Sequence, residues 1–238
     1  MPTSDPAEWT TRADARPSRV WRVPDITLRQ RLRRLPALVG PFPDFDPGAV
    51  PDDPLALFGE WLEGAIAAGV PEPHAMTVAT VDPDGQPSSR VVICKDVHDG
   101  AWEFATDARS RKAKGGPRAA ASFYWQPLGR QVRVTGELVR RDATVCAEDF
   151  LQRSPASRAA AMATRPGEPL ADRAQMSAAL EEAHRLVDAA PGTVLDTWVV
   201  YALVADEVEF WQGDPGRAHL RVVYRRDGRV WSHGLVWP

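Results

Sequence analysis

The segment "HAMTVATVDPDGQPSSRVVICKDVHDGAWEFATD", residues 74–107, constrains the fold more than any other. It holds β-rich runs separated by "PDGQ" and "HDG", and each turn carries an Asp-Gly pair. Asp-Gly accepts the positive φ angles of tight hairpins, so successive strands must run antiparallel. "AAASFYWQP" and "QVRVTGELVRR", joined through "QPLGR", add two more strands. In the second, Val132, Val134 and Gly136 alternate with Arg133, Thr135 and Glu137, the pattern of a strand with one wet face. "DTWVVYALVADEVEFWQG" and "AHLRVVYRRDGRVWSHGLVW" close the chain as further strand regions. A series of short antiparallel strands specifies a barrel or a sandwich.

Helices interrupt this pattern in three places. In "DDPLALFGEWLEGAIAAGV", Asp52 or Asp53 can cap, Pro54 suits the first turn, and Gly69 ends the helix. Leu55, Phe58, Leu62, Ala65 and Ile66 fall on one face, and Trp61 reads as core. "DATVCAEDFLQR" has Asp142 as its cap. "EPLADRAQMSAALEEAHRLVDAA" puts Leu170, Ala174, Leu180, Ala183 and Val187 near one face. Residues 1–50, rich in Pro, Arg and Asp, read as a partly disordered N-terminal extension with room for a short helical turn. Residues 51–238 read as one α+β domain, a mostly antiparallel barrel with flanking helices.

Composition removes several function classes. The 238 residues carry a formal charge of −3, without the basic excess of a nucleic-acid binder. No apolar run is long enough to span a bilayer, and the N-terminus lacks the apolar stretch of a secretory signal. Cys94 and Cys146 form no C-x-x-C pair and read as reduced, buried thiols of a cytoplasmic protein. His74, His98, His184 and His233 show no metal-ligand spacing, so no metal is expected.

Cationic residues recur instead at strand ends and turns. Arg90 and Lys95 lie on one strand with opposite parity, so they face opposite ways unless the strand bends. "TDARSRKAKGG" gathers Ser110, Arg111 and Lys112 in a turn, the donors of a phosphate cradle or a solvated basic loop. Arg153 and Ser157 follow a helix end, where the dipole favours a cation and where Asp149 is placed for an i,i+4 pair with Arg153. Gln131 opens a strand and can both donate and accept. Trp125 and Trp211 read as core or as ring-stacking surfaces. "RAHLR", residues 217–221, alternates Arg217, His219 and Arg221 after "EFWQGDPG".

The order of these segments is more specific than any one of them. "SSRVVICK", "F-x-T-D-x-x-SRK", "FYW-x-x-L-x-RQVRVTG", "F-x-x-R-x-x-x-S" and "EFWQG-x-x-x-R-x-H-x-R" follow one another as in the pyridoxamine 5′-phosphate oxidase family, which the chain resembles from about residue 53 onward. The resemblance implies a split antiparallel barrel, a homodimer and FMN held between subunits. It also implies oxidation of pyridoxamine or pyridoxine 5′-phosphate to pyridoxal 5′-phosphate, with oxygen as acceptor. It assigns flavin contacts to Arg90, Thr106, Arg111, Lys112 and Gln131, with Trp211 and Arg221 supplied by the other subunit. Lys95, which also stands in the cofactor motif, joins Arg153 and Ser157 in holding the substrate phosphate. Arg217 and His219 border the substrate ring as the catalytic pair.

The chain departs from the family pattern near the substrate. Asp149 stands where the resemblance calls for a tyrosine, and Pro166-Gly167 for a Gln-Ser pair. Leu220 replaces an acidic residue and Leu235 an arginine, and "TWVVY" stands for Trp-Gly-Gly. "LPALVGPFPDFDPGAVPDDPLALFGEWLEGA" looks like the related flavin oxidases of phenazine biosynthesis, which oxidise reduced tricyclic intermediates. Two further readings therefore stay open: a phenazine-type oxidase, and a non-catalytic flavin-binding split barrel.

Overall fold

The computed structural model describes residues 26–238. Half of the expected extension, residues 1–25, lies outside the described residues. Two compact units divide at Ala37–Leu38. In the described part of the first, helix α1 (Leu28–Leu32) is closed by a capping box in which Thr27 and Gln30 exchange hydrogen bonds.

The second unit begins at Leu38, before the boundary expected near residue 51, because Phe45 and Val50 pack on the core. Phe45 meets Trp61 edge-on, ring centroids 5.1 Å apart. In α2 (Pro54–Ala67), Asp53 accepts from the Leu55 N–H, and Gly69 at φ +68° closes the helix. The buried face is Leu57, Phe58, Trp61 and Ala65, while Ile66 is exposed. It lies about one residue away from the expected stripe, because the stripe centres on Trp61 and takes in Leu57.

Eight strands follow the expected segments: β1 (Ala75–Val81), β2 (Pro87–His98), β3 (Ala101–Asp107), β4 (Arg118–Trp125), β5 (Arg130–Arg140), β6 (Trp198–Gln212), β7 (Leu220–Asp227) and β8 (Val230–Leu235). Their order is β3-β2-β1-β4-β5-β6-β7-β8, and β3 also pairs with β6. The first six strands thus close into an antiparallel barrel that β7 and β8 extend. The β2–β3 hairpin turns through Asp99 and Gly100, both at positive φ, as a two-residue turn requires. Between β3 and β4, residues Arg111–Lys114 form a 3₁₀ turn.

Two register breaks shape the barrel. On β6, Asp206 is the extra residue between Ala205 and Glu207, which face Gly136 and Thr135. A Cβ on Gly136 would stand 2.0 Å from the Val204 carbonyl oxygen, so only glycine fits in "RVTG". On β2, Lys95 is the extra residue between Cys94 and Asp96.

Val78, Phe104, Phe123, Val132, Val208 and Phe210 fill the interior. Phe58 from α2 enters this cluster edge-on to Trp102 and Phe123. Trp125 is core, with its indole N–H donating to the Pro73 carbonyl at 2.8 Å. Two smaller clusters lie beside the barrel. α3 (Ala143–Gln152) packs Cys146 against Val199 and Val200. α4 (Pro155–Ala163) and α5 (Arg173–Ala189) pack through Ala159, Ala183 and Val187. Sequence periodicity did not reveal α4, whose "PASRAAAMA" has little apolar contrast; Ser154 caps it and Pro155 opens it. α5 starts only at Arg173, so Leu170 lies before it and is exposed. Both cysteines are free, Cys146 buried and Cys94 only partly so.

Candidate active site

Three groups of the expected residues form, on three parts of the frame. The first gathers around Arg90. Arg90 stands opposite the core residue Val78 and shares its face. Its guanidinium donates to the Val78 carbonyl, to Thr80 Oγ1 at 3.1 Å and to Ser88 Oγ. Thr106, buried on β3, lies 3.2 Å from Ser110 Oγ, which accepts from Lys112 Nζ at 3.2 Å. The turn carrying Arg111 and Lys112 is fixed by the glycines after it. Gly116 N–H donates to the Val81 carbonyl, and a Cβ on Gly115 would stand 3.1 Å from Thr80 Cβ.

Like charge accumulates here. Burial lowers the proton affinity of Arg90, and the Arg111 charge lowers it further. Burial also lowers that of Lys112, and Arg90 adds to the effect. Arg111 reaches Asp82 at 3.5 Å, but among the described residues Arg90 and Lys112 have no carboxylate partner. Asp107, the nearby acid, is tied to Arg109. Burial pushes its carboxyl up, but hydrogen bonds from Arg109 and Thr197 outweigh this and leave it below the usual range. Cations crowded among hydroxyl groups without enough carboxylate make an anion site.

The second group lies outside the barrel against α3. At its bulge β2 turns Lys95 outward, and Lys95 Nζ meets Asp149 Oδ1 at 3.3 Å. The other Asp149 oxygen accepts from the Trp198 indole N–H at 2.8 Å. The expected Asp149–Arg153 pair is not formed. Arg153 ends α3 with extended backbone, which swings its guanidinium over the Trp198 ring, 4.2 Å from the centroid. Arg153 also donates to the Ser157 carbonyl at 3.1 Å, and its Nε is buried without a partner. Burial lowers its proton affinity, against the pull of Asp149. Ser157 Oγ accepts from Ser154 at 2.9 Å.

The third group is a row across the sheet. Tyr124, Gln131, Trp211 and Arg221 are successive cross-strand partners on β4 to β7 and share one face. Glu209, buried two residues before Trp211, sits between Arg133 at 3.2 Å and Arg221 at 3.5 Å. The loop before β7 holds the remaining pair. Arg217 is at φ +70°, a left-handed conformation costing a non-glycine residue about 1–2 kcal/mol. Asp214 holds it there: its carbonyl accepts from the Arg217 N–H and its carboxylate from the Ala218 N–H. The Asp214 N–H donates to His219 Nδ1 at 3.0 Å, so the neutral imidazole carries its proton on Nε2. Trp211 packs against the same imidazole, centroids 5.0 Å apart. Arg217, His219 and Arg221 line an open cavity of about 470 Å³ together with Leu235 and Trp237 of the C-terminal tail.

No hydrogen bond or ion pair among the described residues links this third group to the first two. Sequence reasoning missed Thr80, Ser88 and Asp214. The serine and threonine could have been found from their period-2 relation to Arg90 and Val78; Asp214 had only its turn-forming "GDPG" context.

Residues 62–186 match the profile described as pyridoxamine 5′-phosphate oxidase, and residues 198–238 match that family's C-terminal dimerisation region. The chain belongs to the pyridoxamine 5′-phosphate oxidase family. It is accordingly an oxidoreductase, which sets aside the non-catalytic reading. The pyridoxine/pyridoxamine 5′-phosphate oxidase of Rubrobacter xylanophilus is 38% identical over 194 residues, 80% of this chain and 89% of that protein. The one from Burkholderia lata is 39% identical over 200 residues, 81% of this chain and 92% of that protein. Among solved structures, PhzG from Burkholderia lata, in complex with tetrahydrophenazine-1-carboxylic acid, superimposes with a TM-score of 0.76 at 30% identity. That match covers 84% of this chain and all of PhzG, and it supports the split-barrel fold with its phenazine-branch likeness.

Proposed function

We propose that this family member is an FMN-dependent oxidase acting as a homodimer, with each site built from both subunits. The first group carries the cofactor assignment. Arg90 and Lys112 have no carboxylate partner among the described residues, and a phosphate ester brings close to two negative charges. Thr80, Ser88, Thr106 and Ser110 add hydroxyls suited to its oxygens. The residues present therefore fit FMN.

Bound there, FMN would supply a hydride acceptor for the substrate carbon bearing the amine or alcohol, with oxygen as the final electron acceptor. The chain's own residues bind and orient. Arg90 and Lys112 anchor the phosphate, with Thr106 and Arg111 beside them. Gln131 offers a donor and an acceptor to the ring edge. Trp211 and Arg221 complete the cofactor site from the partner subunit, and Arg217 and His219 border the substrate. His219, with Nδ1 held by the Asp214 N–H, presents Nε2–H as its free hydrogen-bonding group. The match of residues 198–238 to the dimerisation region supports the two-subunit site.

The first substrate reading is pyridoxamine or pyridoxine 5′-phosphate, giving pyridoxal 5′-phosphate. Lys95, Arg153 and Ser157 and the named activities of the curated relatives support it. A second reading, a reduced tricyclic aromatic acid, is favoured by the Asp149 carboxylate on Lys95. The purified protein should be yellow, and its bound flavin should bleach anaerobically with one of these substrates. Bleaching by the tricyclic acid alone selects the second reading. A colourless protein that takes up no FMN overturns the flavin assignment.

A further inference from the structure

Arg217 and His219 depend on a loop, residues 213–218 between β6 and β7, that has little of its own to hold it. Pro215, Gly216, Arg217 and Ala218 are exposed, and Arg217 keeps its left-handed backbone only while the loop is supported. The start of the loop is anchored. Gly213 N–H donates to the Gly129 carbonyl at 2.7 Å, and the Gln212 amide donates to the Leu128 carbonyl at 3.0 Å.

Behind the loop runs residues 38–45, a segment that the oxidase reading does not use. The two fit closely. A Cβ on Gly40 would stand 2.9 Å from Pro215 Cγ, and one on Gly129 would stand 2.9 Å from the Phe42 ring. One on Gly213 would stand 3.0 Å from Leu38 Cδ2 and from Trp211 Cη2. Among the described residues no hydrogen bond joins this segment to the loop, so the support is packing alone. Beside these contacts, a cavity of about 210 Å³ is lined by Phe45 on one side and by Ala218 and Leu220 on the other. The loop therefore rests on few points, and the Phe42 ring against Gly129 is the largest of them.

We infer that Phe42 is a positioning residue: packed against the turn that anchors Gly213, it seats the loop and so holds Arg217 and His219 in place. This rests on the reading that the pair borders the substrate ring. Without the ring, the turn at Gly129 and the loop behind it lose their backing. Arg217 can then leave its left-handed conformation, and the Asp214 bonds to the Ala218 N–H and to His219 Nδ1 loosen with it.

Nitrogen-15 NMR of the imidazoles in the full-length dimer tests this without substrate, with and without FMN, the His219 signal being assigned by His219→Ala. Above about pH 8, where histidine is ordinarily neutral, wild type should show His219 as a single Nε2–H tautomer. Phe42→Ala should mix the tautomers and speed exchange of the Ala218 amide proton about tenfold. Phe42→Leu, which keeps a branched apolar side chain against Gly129, should restore most of both. In turnover with pyridoxamine 5′-phosphate, Phe42→Ala should lower kcat/KM about tenfold, with FMN affinity within about twofold of wild type. The loss should be smaller in an Arg217→Ala background, where part of what Phe42 positions is already gone. An unchanged tautomer and amide exchange in Phe42→Ala overturn the inference, and so does a loosened loop with kcat/KM unchanged. If Arg217→Ala and His219→Ala both leave turnover unchanged, the substrate-border reading fails first and takes the inference with it.

Discussion

Two cationic clusters in this molecule differ in one respect, the presence of a resident carboxylate. Around Arg90 and Lys112, hydroxyl groups fill the spaces between charges, and burial and mutual repulsion weaken the hold of both on their protons. Around Lys95 and Arg153, Asp149 pairs with Lys95, and Trp198 holds both Asp149 and Arg153. On the proposed reading, similar side chains on one strand and its neighbours therefore serve different ends: the first cluster takes an external dianion, whereas the second already holds an acid. Counting arginines and lysines does not separate the two, and counting the acids that reach them does.

The largest effect should follow from emptying the first cluster. Arg90→Ala or Lys112→Ala should each weaken FMN binding by about 1.5–3 kcal/mol, on the order of 10- to 100-fold, measured by flavin fluorescence on titration. Arg153→Ala should leave FMN affinity unchanged and raise KM instead. Comparable flavin loss in all three variants would erase the distinction between the clusters.

Mixing the two halves of the site sharpens it. If Arg90 and His219 serve one site from different subunits, Arg90→Ala and His219→Ala homodimers should each be strongly impaired at limiting FMN. Co-refolded hybrids should recover up to about one quarter of wild-type activity, because half the dimers then carry one intact site. No recovery, with hybrid formation confirmed by mass spectrometry, would mean that both residues serve a site within one chain.

A smaller effect separates the ends of "RAHLR". Arg221→Ala should weaken FMN about tenfold, since it removes one charge-assisted contact and leaves buried Glu209 with Arg133 alone. His219→Ala should lower kcat/KM and spare FMN. Equal flavin loss in both variants contradicts that division.

The smallest effect comes from a cluster of inverted sign. His98 lies 3.2 Å from Asp99 and 3.3 Å from Glu103. The hydrogen bond to Asp99 raises its pKa above 6.5, against burial, with Glu103 and Asp96 adding to the rise. A histidine with a raised folded pKa contributes stability that is complete below its unfolded value and is lost as pH rises through the folded one. The melting temperature of wild type over His98→Gln should therefore be highest below about pH 6 and fall above neutrality. A difference that is flat with pH would show that His98 acts by packing alone.

Most strands were legible because their signals are local: Asp-Gly turns, period-2 alternation and the four residues "QPLG" that join β4 to β5. Helix α4 was not, since its alanines give no amphipathic contrast and its burial comes from α5. Family resemblance named the candidate residues, which the structure gathers in three groups, but their charge balance was not legible. The i,i+4 spacing of Asp149 and Arg153 suggested a pair, yet the pair forms across the fold, from Asp149 to Lys95, because the backbone leaves the helix at Arg153. The parity of Arg90 and Lys95 correctly placed them on opposite faces. What spacing could not show was the bulge that frees Lys95 to reach α3.

The sequence by itself determined the antiparallel order of hairpins, an aspartate-capped start for α2, and the motifs that mark a pyridoxamine 5′-phosphate oxidase family member. These depend on neighbours a few residues apart, where backbone geometry and side-chain period act directly. Tertiary structure decided which cations remain unpaired and which already hold an acid. It did so because β3 meets β6 to close the barrel and brings Trp198 beside α3, and charge compensation is a property of residues that meet in space.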